Sequence, residues 1–138
     1  EYTCDVFVDF DMNVRCVVPR RRIEVRSGEV SKAQVVKDRH IMERAAELVR
    51  TLGAGPGVIT IQLIKDGQGD IYFIEINPRF GGGVPLSIRA GANFPLWIMQ
   101  LMAGQEPAIE FDGFEDDLYM LRFDSEVWVR GRDIKGDI

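Results

Sequence analysis

Histidine is nearly absent from this chain. The single one, His40, has no cysteine or second histidine near it, which favours a surface position on a helix over a metal ligand. Cysteine occurs twice. Cys4 and Cys16 fall in neighbouring strand-like segments, so a bridge across a hairpin stays open, but two buried free thiols are expected in a reducing compartment. No apolar run approaches the ~20 residues that span a bilayer, and no secretory leader opens the sequence. The cytoplasm is therefore the expected location, with no membrane partner. Basic residues are outnumbered, 17 Lys and Arg against 22 Asp and Glu, giving a net charge of −5. That balance argues against nucleic acid as a partner. There is no internal repeat and no low-complexity run. Nor does a Gly-x-Gly-x-x-Gly follow a first strand, so the Rossmann fingerprint is missing.

What is present reads as one globular domain. A chain of 138 residues with 46% apolar content can bury roughly two-thirds of its unfolded surface without staples. Positive charge is gathered at Arg15, Arg20, Arg21, Arg22 and Arg26. Such a cluster is usually a solvated face, though in a phosphate-handling protein it would line the pocket. Residue 1 is Glu, opening directly into strand-like sequence, and the expectation is a piece cut from a longer protein.

Residues 2–9 alternate β-formers with polar residues and predict a strand. Asp11-Met12-Asn13 is turn chemistry, and residues 14–18 predict a second strand that Pro19 ends or interrupts. Residues 22–26 suggest a third, followed by a Ser27-Gly28 turn. The period then changes. Val36, Ile41, Ala45, Leu48, Val49 and Leu52 recur at helical spacing, predicting an amphipathic helix over 37–52 capped by Gly53. Residues 58–64 and 71–76, joined by a tight Gly-rich loop, predict an antiparallel hairpin. Helices are expected at 86–90 and 94–102, separated by Gly91. An acidic connector at 104–117 leads to a last strand pair, 119–123 with 127–129. The order implies an α+β fold, a mainly antiparallel sheet covered by helices.

The hairpin carries the chemistry. Residues two apart on a strand share a face, so Glu75 and Asn77 lie side by side, with Ile74 and Ile76 expected toward the core. Gln62 should stand opposite Glu75 or one pair away, because a one-residue slip would drive its amide inward. One carboxylate and two amides, all oxygen ligands, suit a hard cation. Mg²⁺ binds few protein oxygens and takes the rest from water and nucleotide phosphate. Arg79 can fork onto phosphate oxygens, and Gly81-Gly82-Gly83 leaves backbone N–H groups unobstructed near an anion.

Phe73-Ile74-Glu75-Ile76-Asn77-Pro78-Arg79-Phe80 followed by glycines resembles the E-x-N-P-R signature of ATP-grasp enzymes, with the carbamoyl-phosphate synthase large subunit most similar. Glu1-Tyr2-Thr3-Cys4-Asp5-Val6 looks like that family's E-Y-E-x-E-V strand, and Ser27-Gly28-Glu29 sits at its T-G-D turn. Gln62 falls on its V-Q-F strand. Residues 86–96 resemble its A-L-A-S-K-A-T-G-F-P-I segment. The likeness covers about residues 1–104, leaving 105–138 as connector and final strand pair. It is most specific at 58–96.

The resemblance implies the C-terminal subdomain of an ATP-grasp fold. It implies that Glu75 bridges two Mg²⁺ ions on the ATP phosphates, with Mn²⁺ as a substitute, and that Gln62 and Asn77 each ligate one. It gives Arg79 the terminal phosphate or the acyl-phosphate made from it, and Glu1 the ribose. Arg26 stands near the nucleotide, where the synthase has histidine. The glycines after Phe80 replace the synthase's serine-rich turn. Those two departures point to smaller stand-alone ligases. The implied reaction is ATP-dependent activation of a small carboxylate, then attack by an amine or another nucleophile. Missing N-terminal subdomains would supply a glycine-rich flap and a phosphate-binding lysine. The isolated chain is thus expected to be inactive and to hold ATP no tighter than roughly millimolar. A non-catalytic nucleotide-binding regulatory module is the alternative. Homo-oligomer formation through faces the parent keeps covered is open.

Overall fold

The computed structural model describes residues 1–26, 28–123 and 125–130. Expected turn residue Ser27 and tail residue Asp124 lie outside them. Six strands form one sheet in the order β5-β4-β1-β2-β3-β6, with every neighbouring pair antiparallel. They are β1 (Tyr2–Val8), β2 (Val14–Arg26), β3 (Glu29–Val35), β4 (Gly57–Lys65), β5 (Ile71–Asn77) and β6 (Tyr119–Leu121). Three helices cover the sheet: α1 (Arg39–Leu52), α2 (Val84–Arg89) and α3 (Phe94–Met102). Among the described residues no helix is long and apolar enough to cross a membrane.

β1 occupies the middle of the sheet, and both its faces are buried. Side chains alternate across a strand, so Cys4, Val6 and Val8 face one layer and Thr3, Asp5 and Phe7 the other. α1 closes the first face with Ile41, Met42, Ala45, Ala46 and Val49. Asp38 caps α1 by accepting from the Ile41 N–H at 3.1 Å, and Gly53 ends it in the left-handed conformation at φ 60°. The second face lies under α2 and α3. Ser87 of α2 donates to Asp5, while Phe94 and Trp97 of α3 pack on Phe7 with ring centroids 6.1 and 5.5 Å away.

The helix and hairpin expectations hold, and four others change. β2 does not stop at Pro19 but continues to Arg26, absorbing the expected third strand. The side of Pro19 that lacks an N–H faces the end of β3, where only its carbonyl is needed, accepting from Val36. β3 itself fills residues that had been left between a turn and the helix. Residues 127–129 are not a strand; Val127, Trp128 and Val129 are exposed, and β6 pairs with β3 instead. Ile74 and Ile76 are 55% and 37% exposed, not core. A register shift between Gln62 and Leu63 makes Ile74 an extra residue on an edge strand, beyond which nothing packs among the described residues.

Cys4 and Cys16 are free and buried. Cys4 stands opposite Pro19 and Cys16 opposite Phe7, on opposite faces of the sheet, so the hairpin does not join them.

Candidate functional site

Register builds the site. Glu75 pairs with Gln62, Gln62 with Thr3 and Thr3 with Arg20, a row of four polar side chains across four strands on one face. The next row runs Asn77, Thr60, Asp5. Both rows lie on the face that α2 and α3 cover only in part. There they border a cleft of roughly 110 Å³ lined by Thr3, Arg20, Arg22, Gln62, Asn77, Arg79 and residues 81–83, among others.

The expected ligands come together on one side of the cleft. Asn77 Nδ2 donates to Glu75 Oε1 at 2.8 Å, which leaves the second carboxylate oxygen and the Asn77 carbonyl oxygen outside that bond. Gln62 Oε1 accepts from Arg22 Nη1 at 3.1 Å. The donor set is one carboxylate and two amides, with no group of three or more Asp, Glu, His or Cys among the described residues. It fits a hard cation that arrives with phosphate oxygens, provided Gln62 exchanges its bond to Arg22 for one to the metal. Arg79 is exposed, and its Nη1 donates to the Phe80 carbonyl at 3.1 Å.

Two of the three glycines, Gly81 and Gly83, serve packing. A Cβ on Gly83 would lie 2.0 Å from Arg20 Nη1, and one on Gly81 would lie 2.9 Å from Thr60 Cγ2. The chain therefore crosses directly over the guanidinium, closer than any side chain permits.

Under that crossing sits a network that sequence reasoning missed. Arg20 forks onto Asp5, with Nε at 2.8 Å and Nη2 at 3.0 Å from its two oxygens. Ser87 Oγ donates to the same carboxylate at 2.6 Å, and Thr60 Oγ1 lies 2.7 Å from the Arg79 carbonyl. All four side chains are buried. Asp5, a lone charge in an otherwise apolar strand interior, was the available signal. Of the basic cluster, Arg20 and Arg22 line the cleft. Arg15 instead pairs with Asp9 and Glu106, and exposed Arg26 pairs with Glu24 and is not among the lining residues. Glu1 reaches the site through an ion pair with Arg22.

A family model, "ATP-grasp in the biosynthetic pathway with Ter operon", matches residues 1–120. The chain belongs to this ATP-grasp family. Solved structures agree on the fold. The biotin carboxylase domain of the Hydrogenobacter thermophilus 2-oxoglutarate carboxylase, solved as a dimer with MgADP and bicarbonate, is 19% identical with a TM-score of 0.62; the match covers 86% of this chain and 28% of that one. The biotin carboxylase subunit of a pyruvate carboxylase gives 19% and 0.61 over the same shares. N5-carboxyaminoimidazole synthetase from Staphylococcus aureus gives 18% and 0.55, over 80% of this chain and 31% of that one. This ATP-grasp chain thus spans less than a third of the length of these relatives. No curated protein sequence matches it.

Proposed function

We propose that this chain carries the metal-binding half of the ATP site of a Mg²⁺-dependent ligase, one that activates a small carboxylate as an acyl-phosphate and transfers it to an amine or other nucleophile. The observation that carries the reading is the direct pairing of Gln62 with Glu75, beside Asn77 and within one turn of Arg79. Family membership supports the ATP-dependent ligase class.

Glu75, Gln62 and Asn77 would hold Mg²⁺, or Mn²⁺ in its place, together with nucleotide phosphate oxygens. The cation's chemistry there is charge neutralisation on the transferring phosphoryl group. Arg79, whose side chain meets no carboxylate among the described residues, would add a forked donor to the same oxygens. Positioning and electrostatics are then the protein's main contribution. Glu1, next to Arg22, is proposed at the nucleotide's sugar. Arg26, paired with Glu24 and outside the lining of the cleft, is proposed near the nucleotide. The remaining part of the ATP site would come from segments of a longer parent.

The test is Mg²⁺-dependent ATP turnover by the full-length parent over a panel of carboxylates and amines, wild type beside Glu75→Ala. Activity that Glu75→Ala abolishes without altering the circular dichroism spectrum supports the reading. A parent that binds ATP yet turns over with no acid or amine favours a regulatory module instead.

A further inference from the structure

We infer that Arg20 and Arg22 form an oxyanion-binding subsite on the floor of the cleft, beside Arg79 and the metal ligands Gln62 and Asn77 that line it with them. Arg20 is 1% exposed, and its fork onto Asp5 uses Nε and Nη2 only. Asp5 is in turn held by Ser87 Oγ at 2.6 Å and Thr60 Oγ1 at 3.4 Å, so the guanidinium cannot rotate. Its third nitrogen, Nη1, has no acceptor among the described residues and lies under Gly83, at the edge of the cleft that Arg20 lines. Burying an ion pair is costly, and a well-packed apolar pair would serve stability as well. A pair kept with one donor edge on a cleft has a use for that edge.

Arg22 stands two residues along β2, on the same face. Its Nη1 is shared between Gln62 Oε1 and Glu1, and among the described residues Nε and Nη2 are left for another acceptor. The lining of the cleft contains three guanidinium groups and no carboxylate, because Asp5 and Glu1 stand behind the arginines. Roughly 110 Å³ admits a phosphate or carboxylate head but no nucleoside. Charge-assisted, pre-oriented guanidinium donors favour such oxyanions. Binding itself needs no metal and no turnover. Only the choice between a nucleotide phosphate and the acid's carboxylate rests on the ligase reading.

The experiment follows the arginine Nε–Hε resonances of the 138-residue chain by NMR. The chain is titrated with inorganic phosphate and separately with acetate, without Mg²⁺ or ATP and at fixed ionic strength in chloride. The expected result is a saturable millimolar shift of the Arg20 and Arg22 signals. Arg22→Gln should weaken it about fivefold or more, and Arg79→Gln should leave it saturable. Tighter phosphate assigns the subsite to the nucleotide, tighter acetate to the acid. Arg20→Lys keeps the charge but loses the fork, and should abolish saturation; if it fails to fold, Arg22→Gln carries the test. No saturable shift with either anion in folded wild type overturns the subsite. So does a shift that Arg79→Gln abolishes and Arg22→Gln leaves intact. Neither result bears on Glu75→Ala in the parent.

Discussion

Arg20 grips Asp5 through two parallel hydrogen bonds of 2.8 and 3.0 Å, and neither side chain exposes more than 1% of its surface. Removing one partner leaves a buried charge uncompensated, whereas removing both does not. Asp5→Ala should therefore cost about 3–5 kcal/mol, read by urea unfolding. The double replacement Asp5→Leu with Arg20→Met should cost clearly less than the two single changes added together. A single-mutant cost below about 1 kcal/mol would show that water reaches the pair.

Gly83 and Gly67 make a matched contrast. A methyl group at Gly83 would collide with the held guanidinium of Arg20, while nothing lies within 4 Å of one at Gly67. Gly83→Ala is expected to lose about 1–3 kcal/mol from forced displacement. Gly67→Ala should stay within about 0.5 kcal/mol of wild type. Thermal unfolding of the two variants side by side checks this, and equal melting temperatures would remove the packing role.

Asp38 joins the start of α1 to the hairpin by capping Ile41 and accepting from Lys65 Nζ at 2.5 Å. Burial alone would raise its pKa, but Lys65 and the backbone N–H groups of the first turn outweigh it and hold the carboxyl below its ordinary value. A depressed folded pKa means stability that is present above the unfolded value near pH 4 and lost as pH falls through the folded one. Asp38→Ala should remove about 1 kcal/mol at pH 7 and flatten this part of the acid limb. An unchanged acid limb would place the pH dependence elsewhere.

The two thiols should be silent until the sheet opens. Burial raises both, Cys16 to about 12 and Cys4 further, so neither offers thiolate at neutral pH. Iodoacetamide should label neither in the native chain and both in urea. Because an unfolded thiol ionises near pH 8.5 and the folded ones do not, stability falls as pH rises above that value. Rapid native labelling at pH 7.5 would contradict the packing of β1 and β2.

Local pattern made much of this legible. The helical period from Ile41 to Leu52 and the capping Gly53 gave α1, and the glycine-rich loop gave the hairpin with Gln62 opposite Glu75. What stayed hidden depends on tertiary neighbours. Pro19 looks like a strand end until the sheet places its missing N–H beside the end of β3. Ile74 looks like core because a bulge cannot be read from alternation. Arg20 looks like a solvated charge because its partner Asp5 stands on another strand, 15 positions away, and the Ser87 that holds Asp5 is 82 positions from it.

The central position of β1 divides the cleft by folding history. Glu75, Gln62 and Asn77 belong to one local hairpin, which can close in microseconds with little chain entropy to lose. The fork of Arg20 on Asp5 is also local, 15 positions apart within the β1–β2 hairpin, but joining the two halves must wait for β1 to meet β4, since Asp5 and Thr60 are 55 positions apart and Arg22 and Gln62 are 40 apart. Such long loop closures are slow. The metal-ligand side of the cleft and its guanidinium floor can therefore form separately, and only the completed central pairing brings them together.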